Sequence, residues 1–321
     1  MSELAAARRI SPSHLLFPLL ALATLHPAVP SGLALVLGMA LALSLGNPYL
    51  QHTGRMTKQL LSLAVIGLGT GMDLRLVARA GLHGMGYTVI GITACLGIGH
   101  LLTRRLGLSK HIGMLISFGT AICGGSAIAA AAPVLRAKDH DVSVAMATVF
   151  LLNAVALFVF PSLGHWAALD PPHYGLFAAL AIHDTSSVVG AALQYGGDAL
   201  QVGASVKLAR SLWIAPVVLV IGALERKSTV GSAARAPRPW FILGFILAAA
   251  LVTFIPALQP VGAITSSLAQ RAFVVTLFLV GTGITREALR KVGARPLLLG
   301  VTLWVTVTSL TLGALRAGWI S

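Results

Sequence analysis

Acidic side chains are nearly missing from this sequence: Asp and Glu together number 9 in 321 residues, against 23 Lys and Arg, and all charged types make up only 10%. Soluble domains carry about 25% charged residues, so a soluble globular fold of this length is excluded. Cysteine is almost as scarce. Cys95 and Cys123 lie apart in apolar stretches, which supplies neither a disulfide framework nor the ligand count of a metal centre. The G-x-S-x-G elbow, the H-E-x-x-H helix and the Walker loop are absent too, so no hydrolase, zincin or nucleotide-driven pump is signalled and no cofactor is expected. The apolar stretches have helix length and no period of two, which excludes a β-barrel.

What fills the chain instead is hydrophobic residues, at 56%, in runs such as Val142–Phe160 and Leu243–Ile255 between short charged loops. A spanning helix needs roughly 20 apolar residues, leaving room for about ten crossings and no sizeable soluble domain. The expectation is an all-α polytopic membrane protein in the lipid bilayer, with about nine transmembrane helices. They are placed near 14–27, 31–46, 56–72, 82–103, 142–164, 198–224, 239–256, 262–285 and 296–316. Two further segments, 111–137 and 174–195, are interrupted by small polar residues. The whole reads as one transmembrane domain, with halves about 14–164 and 174–316 and a cytoplasmic linker at 226–238. The net charge of +14 would suggest nucleic acid in a soluble protein. Here the charges sit at the ends of apolar segments, as cytoplasmic anchors do, and no nucleic-acid partner is expected. Arg8 and Arg9 before the apolar run Leu15–Leu25 resemble a secretory signal, but the many later spans mark this as a retained first helix.

Internal similarity points to a secondary-transporter-like inverted repeat. Gly69-Thr70-Gly71, Arg79 and Gly81 recur as Gly281-Thr282-Gly283, Lys291 and Gly293, at an offset of 212 residues. Ile122, Ser126, Ala131, Ala132 and Val142 recur as Ile182, Ser186, Ala191, Ala192 and Val202, at an offset of 60. If both interrupted segments cross fully, one pair is inverted and the other parallel, which a single duplication does not produce. If both are re-entrant hairpins, both pairs are inverted. The basic residues agree. Hairpins leave Arg75, Arg79 and Arg316 outside and Lys207, Arg210 and Arg271 within segments, with the rest of the 23 cytoplasmic; full crossings move Arg136 and Lys138 outside. The N-terminus is then cytoplasmic and the C-terminus periplasmic.

The hairpin tips are Ala121-Ile122-Cys123-Gly124-Gly125-Ser126-Ala127 and Ala181-Ile182-His183-Asp184-Thr185-Ser186-Ser187. Entering from opposite faces, they would meet near the midplane. Irregular backbone survives at that depth only when buried in protein or lining a wet cavity. Half-helix starts present N–H groups and positive dipole ends, so Cys123, Gly124, Gly125, Ser126, Thr185, Ser186 and Ser187 are candidate contacts for a small anionic substrate. The same glycines and serines also suit close packing between helices. Asp184 costs on the order of 3 kcal/mol at mid-membrane and needs a partner. Lys207 and Arg210, three apart on one helix face, offer either a stabilising ion pair with it or a cationic anion-binding site. Their counterparts in the other repeat are Ala147 and Phe150, so positive charge lies on one side only, which favours an anion. Asp184 and His183 are the candidate ion-coupling groups, with H⁺ or Na⁺ as the coupling ion. Asn153 and Thr148 are polar linings of low specificity.

At these positions the sequence resembles a known family. Gly67-Leu68-Gly69-Thr70-Gly71-Met72, the run from Phe118 to Ala129 and the run from His183 to Ala192 resemble the YeiH-type sulfate exporter family of bacterial inner-membrane proteins. The likeness extends roughly from residue 15 to the C-terminus. It implies an inner-membrane transporter with an inverted-repeat fold and export of sulfate or a related anion, and carries over no binding residues. The expected function is therefore a carrier of a small anion such as sulfate, sulfite or an organosulfonate, as a monomer or a homo-oligomer. A passive anion channel of the same fold is the alternative. An intramembrane enzyme using His183, Asp184 and Ser186 or Ser187 is disfavoured, because adjacent His and Asp cannot place the carboxylate behind the imidazole.

Overall fold

A computed structural model describes residues 12–225 and 240–320; the linker at 226–238 lies outside the described residues. Among the described residues the regular structure is helical, with no strand. The first elements are α1 (Pro12–Ala23), α2 (Ser31–Ser44), α3 (Leu50–Gly69) and α4 (Leu74–Arg105). Two short pairs then flank one long helix: α5 (Lys110–Ala121) and α6 (Gly125–Val134), α7 (Asp139–Trp166), α8 (Pro171–Ala181) and α9 (Thr185–Tyr195). The remaining elements are α10 (Ala199–Ser211), α11 (Ile214–Glu225), α12 (Trp240–Phe254), α13 (Gln259–Thr282), α14 (Arg286–Lys291) and α15 (Ala294–Arg316).

Among the described residues five stretches are long and apolar enough to cross a membrane: Gly86–Arg105, Asp139–Trp166, Ala199–Gly222, Pro256–Thr282 and Ala294–Arg316. The sequence-based expectation was about nine. The difference has physical causes. Helices α1, α2 and α12 are apolar but have only 12, 14 and 15 residues, about 18–23 Å at 1.5 Å per residue. Helix α3 has 20 residues, yet its first half carries His52, Arg55 and Lys58. The expected span 198–224 is among the five, as Ala199–Gly222, but is interrupted at Leu212–Trp213, where the N–H groups of both turn back three residues, to Ala209 and Arg210. Pro216, which lacks an N–H, follows at once and fixes the new start.

Each short pair doubles back on itself. The rings of Tyr174, at the start of α8, and Tyr195, at the end of α9, stack at 3.7 Å, and the Tyr195 hydroxyl donates to the Leu169 carbonyl. A continuous helix would separate those tyrosines by about 30 Å. The first pair closes likewise: His111 Nδ1, at the start of α5, lies 3.7 Å from Asp141 Oδ2, just beyond α6. Near its tip a Cβ on Gly119 would meet Ile128 Cδ1 at 2.9 Å. The 28 residues of α7 join the two mouths across about 42 Å, so the hairpins enter from opposite ends of the molecule. Their tips meet: a Cβ on Gly124 would lie 3.6 Å from Asp184 Cβ and from the His183 carbonyl oxygen.

Caps encode these reversals. Ser109 accepts from the Ile112 N–H and starts α5, and Asp170 accepts from the His173 N–H at 2.9 Å and starts α8 ahead of Pro171. The bond from the His173 N–H, outweighing partial burial and joined by the imidazole, holds the Asp170 carboxyl below the usual carboxylate range. This cap therefore persists above the ordinary carboxylate pKa and is lost only as pH falls through the lowered value. Beside the second mouth the Arg316 guanidinium lies 5.1 Å over the exposed Trp166 ring, as at a membrane interface.

The helices form two bodies. A panel of α1, α2, α3, α12 and α13 packs tightly together, with α13 lying between α2 and α3. Gly38 and Gly281 permit this closeness, because a Cβ on either would collide with a carbonyl of the neighbouring helix, Phe278 or Leu35. The second body holds α4 to α11 and α15, with both hairpins at its centre. The two bodies meet along α9, which rests on α2 and α13, along α7, which α14 and α2 touch, and at a narrower contact of α12 on α4; Val189, Ala204 and Leu208 share a core with the panel.

In a chain whose native cysteines are replaced, single cysteines at His173 and Gly197 are expected to react with an impermeant maleimide from one face of the membrane. Cysteines at His111 and Lys138 should react from the other. Labelling of 173 and 197 from opposite faces would show that α8 and α9 cross rather than return.

Candidate functional site

At the first tip, α5 stops at Ala121 and the Gly124 N–H reaches back to the Gly119 carbonyl at 2.8 Å. Gly124 has φ 66° and ψ −127°, a conformation open to glycine and strained for any other residue. At the second tip the chain leaves α8 at Ile182 in an extended conformation, and Asp184 starts α9. The junction is buried at Cys123, His183, Ser186 and Ser187, half-buried at Gly125, Asp184 and Thr185, and exposed at Ser126. It is therefore reachable from one side.

The two cations sit behind the tips. Lys207 is fully buried and donates to the carbonyls of Ile182 at 2.6 Å and Ala179 at 3.3 Å. Arg210, also buried, reaches both hairpins at once. Nε and Nη2 donate to the Ala121 carbonyl at 2.9 and 2.5 Å, and Nη2 donates also to Thr120 at 3.2 Å. On the other side Nη1 donates to Ala179 at 3.1 Å and Leu180 at 2.5 Å. A guanidinium has five N–H groups, and all five are committed. The carbonyls they serve are the C-terminal ends of α5 and α8, where half-helix dipoles place partial negative charge. The charge partner of these cations is thus backbone, and neither forms an ion pair with Asp184 within 4.0 Å.

Asp184 is engaged locally. Its Oδ2 accepts from the Ser186 and Ser187 N–H groups at 3.1 and 3.2 Å and from the Ser186 hydroxyl, capping α9. Helix α6 has no such side-chain cap at Gly124. Several buried polar atoms close by have no hydrogen-bond partner among the described residues: both ring nitrogens of His183, both amide atoms of Asn153 and the Thr120 hydroxyl. Thr148, by contrast, is satisfied by the Val144 carbonyl at 2.8 Å.

The structure brings together all the residues singled out from the sequence, from Cys123 to Ser126, from His183 to Ser187, and Lys207 with Arg210. It divides them by role: cations on the C-terminal helix ends, carboxylate on one N-terminal end, the other N-terminal end without a side-chain cap. Sequence reasoning gave Asn153 little weight and passed over Thr120. The only signal for Asn153 was a lone amide inside an apolar helix. Two cavities lie nearby but outside the junction. One of about 340 Å³ between α4 and α15 ends on Arg210 and Leu180, and one of about 280 Å³ lies among Asp73, Asp198, Gln201 and Ser205.

Removing the guanidinium orphans three buried carbonyls on two hairpins, Thr120, Ala121 and Leu180, and leaves Ala179 to Lys207 alone. Arg210→Ala is expected to lower stability by at least about 3 kcal/mol, since each orphaned buried group costs about 1–3 kcal/mol. Arg210→Lys, which keeps the charge but cannot fork, should recover less than half of that. The melting temperature of the detergent-solubilised protein measures both, and an Ala variant melting with wild type would remove the clamp from the argument.

No solved structure matches the chain. Residues 15–300 match the family model described as Conserved hypothetical protein 698. A UPF0324 membrane protein of Bdellovibrio bacteriovorus is 56% identical over 306 residues, covering 95% of this chain and 94% of that one. One from Geobacter sulfurreducens is 47% identical, covering 91% and 93%. With helices fit to cross a membrane and this degree of likeness along nearly its whole length, the chain belongs to the UPF0324 family of membrane proteins, the YeiH-type family.

Proposed function

We propose that this protein is a secondary transporter of a small anion, sulfate, sulfite or an organosulfonate, bound where the two hairpin tips meet. The observation that carries the reading is the pairing of two half-helix breaks, with cations on both C-terminal ends and positive N-terminal ends turned toward one junction. Cys123, Gly124, Gly125 and Ser126 supply one wall; Thr185, Ser186 and Ser187 supply the other. Arg210 contributes field rather than free hydrogen-bond donors, and Lys207, with two of its three N–H groups committed, contributes mainly field.

Asp184 stands beside Gly124, so an anion at the start of α6 meets a carboxylate. Protonation of Asp184 removes that repulsion, which couples anion and proton; His183, buried and unpartnered, relays the proton. A sodium ion on the half-helix carbonyls would lie against two cations, and Coulomb repulsion opposes it. Protons are therefore the favoured coupling ion. The organisation of the molecule supports an inverted repeat. The first hairpin packs on α4 and α7, the second on α15 and α10, and α4 touches α15. Gly69 and Gly281, the matched glycines, each back onto a carbonyl of a neighbouring helix, Phe245 and Leu35. Alternating access then follows from movement of the hairpin body against the panel, in an inner membrane with the N-terminus cytoplasmic. A passive anion channel is the second reading, favoured by the exposed side of the junction at Ser126.

Uptake of radiolabelled sulfate and sulfite into proteoliposomes tests this. Saturable flux that a pH gradient drives, and that Asp184→Asn no longer couples to the gradient, is expected. Flux without saturation or trans-stimulation would indicate the channel, and no flux of either anion would remove the reading.

A further inference from the structure

Helix α7 carries a ruler across the junction. Toward its start, Val149 and Phe150 touch the first tip: a Cβ on Gly124 would lie 3.4 Å from Val149 Cγ1, and one on Gly125 would lie 2.8 Å from the Phe150 ring. Two turns on, Leu157 meets α9, its Cδ1 being 2.8 Å from a Cβ built on Gly190. From the first tip onward α7 and α9 run the same way, toward the second mouth. One turn back from the Leu157–Gly190 contact therefore sets Asn153 against the first turn of α9, at Ser186 and Ser187. The same residue is one turn beyond Val149, and so one turn from the start of α6. Asn153 lies in the layer between the two half-helix N-termini.

Its side chain is 3% exposed, and neither amide atom has a partner among the described residues. A buried amide left unsatisfied costs about 1–3 kcal/mol, too much for a residue that apolar neighbours would otherwise replace. Arg210 offers a ligand no hydrogen bond, because every one of its N–H groups is already given to a carbonyl, and Lys207, fully buried behind the second tip, has given two of its three to Ile182 and Ala179. Recognition falls to neutral groups: the N–H groups opening α6 and the Asn153 amide. That amide has a donor, Nδ2, and an acceptor, Oδ1. A fully deprotonated tetrahedral anion satisfies only the donor. An oxyanion that keeps one hydroxyl satisfies both.

We infer that Asn153 contacts the transported anion and sets its specificity, narrowing the proposed class to an oxyanion that bears a hydroxyl group, as hydrogensulfite does, over sulfate and organosulfonates, which bear none. This rests on the reading of the tip junction as an anion site. It also fits a proton-coupled carrier, since the selected species brings a proton with it.

Phosphate and sulfate have the same tetrahedral shape, and near neutral pH only phosphate keeps a hydroxyl, so the pair is a suitable probe. Binding of each to purified protein would be measured calorimetrically, with sulfite as a third anion, for wild type, Asn153→Leu and Asn153→Asp. Wild type is expected to bind phosphate at least about tenfold more tightly than sulfate, because a site built for a hydroxyl rejects the analogue lacking it. Asn153→Leu should bring the ratio close to one while melting at or above the wild-type temperature, having lost an unsatisfied group. Asn153→Asp, nearly unchanged in shape, should abolish binding of both by charge repulsion. A wild-type ratio at or below one, or a ratio unchanged in Asn153→Leu, overturns the inference and leaves the anion site standing. A fall in melting temperature in both variants would make Asn153 a structural residue and overturn it too. No binding of any anion by wild type would remove the site and the inference together.

Discussion

A guanidinium without water around it holds this molecule together. Inside a bilayer a broken helix has no solvent to receive its last carbonyls, and each one left alone is costly. The chain breaks two helices at the same depth, which leaves two sets of such carbonyls facing each other. Arg210 answers both with one planar fork, donating to Thr120 and Ala121 on one hairpin and Ala179 and Leu180 on the other. Lysine could not do this, because its donors radiate from a point. Lys207 takes the remaining position, on Ile182 and Ala179. Buried cations are themselves expensive, and the carbonyl ends of two half-helices compensate them with dipoles rather than with a carboxylate.

From this division the rest of the site follows. Had Asp184 paired with Lys207 or Arg210, the carbonyls would be orphaned and α9 would lose its cap. Instead the carboxylate faces its own helix start through the Ser186 and Ser187 N–H groups. Three of the four half-helix ends at the junction are thus matched by side chains of opposite sign or by hydrogen-bond acceptors. The start of α6 is the one served by none, and it is built of Gly124 and Gly125, which allow the closest approach to backbone.

Much of this was legible beforehand, for identifiable reasons. Breaks at Gly124 and Asp184 announce themselves, because glycine pairs and Asp-Thr-Ser runs cannot be mistaken for the middle of a lipid-facing helix. The hairpin shape came from counting crossings. The role of Arg210 was not readable, since its acceptors are main-chain oxygens 30 to 90 residues away in sequence, and no residue type marks a carbonyl. Hydropathy points to about nine spans, and five stretches among the described residues reach spanning length. It rewards any apolar run, and α2 and α12 are apolar at lengths of only 14 and 15 residues, with Leu33, Val36, Leu243 and Leu247 turned outward. The Gly-Thr-Gly repeat was visible as a pattern, but its purpose, glycine against a neighbour's carbonyl, exists only in the packing.

The clamp also constrains how any movement takes place. Parting the hairpin tips would break the three Arg210 bonds to Thr120 and Ala121 or the two to Ala179 and Leu180, each worth about 1.5–3 kcal/mol when the donor is charged, and would bare the carbonyls beneath. The seam between the bodies is far lighter. Where α9 meets α2, the polar link is the Ser31 hydroxyl donating to the Gly190 carbonyl at 3.0 Å, a neutral bond worth about 1 kcal/mol. The Gln194 amide lies against Gly32, the Leu74 N–H donates to Thr253 where α4 meets α12, and much of the rest is apolar contact, such as Leu277 on Gly190, which sliding exchanges for similar contact. A transport cycle of the kind proposed would therefore keep the two tips together and shift them as a unit along the panel, so that access changed sides while the site itself stayed assembled.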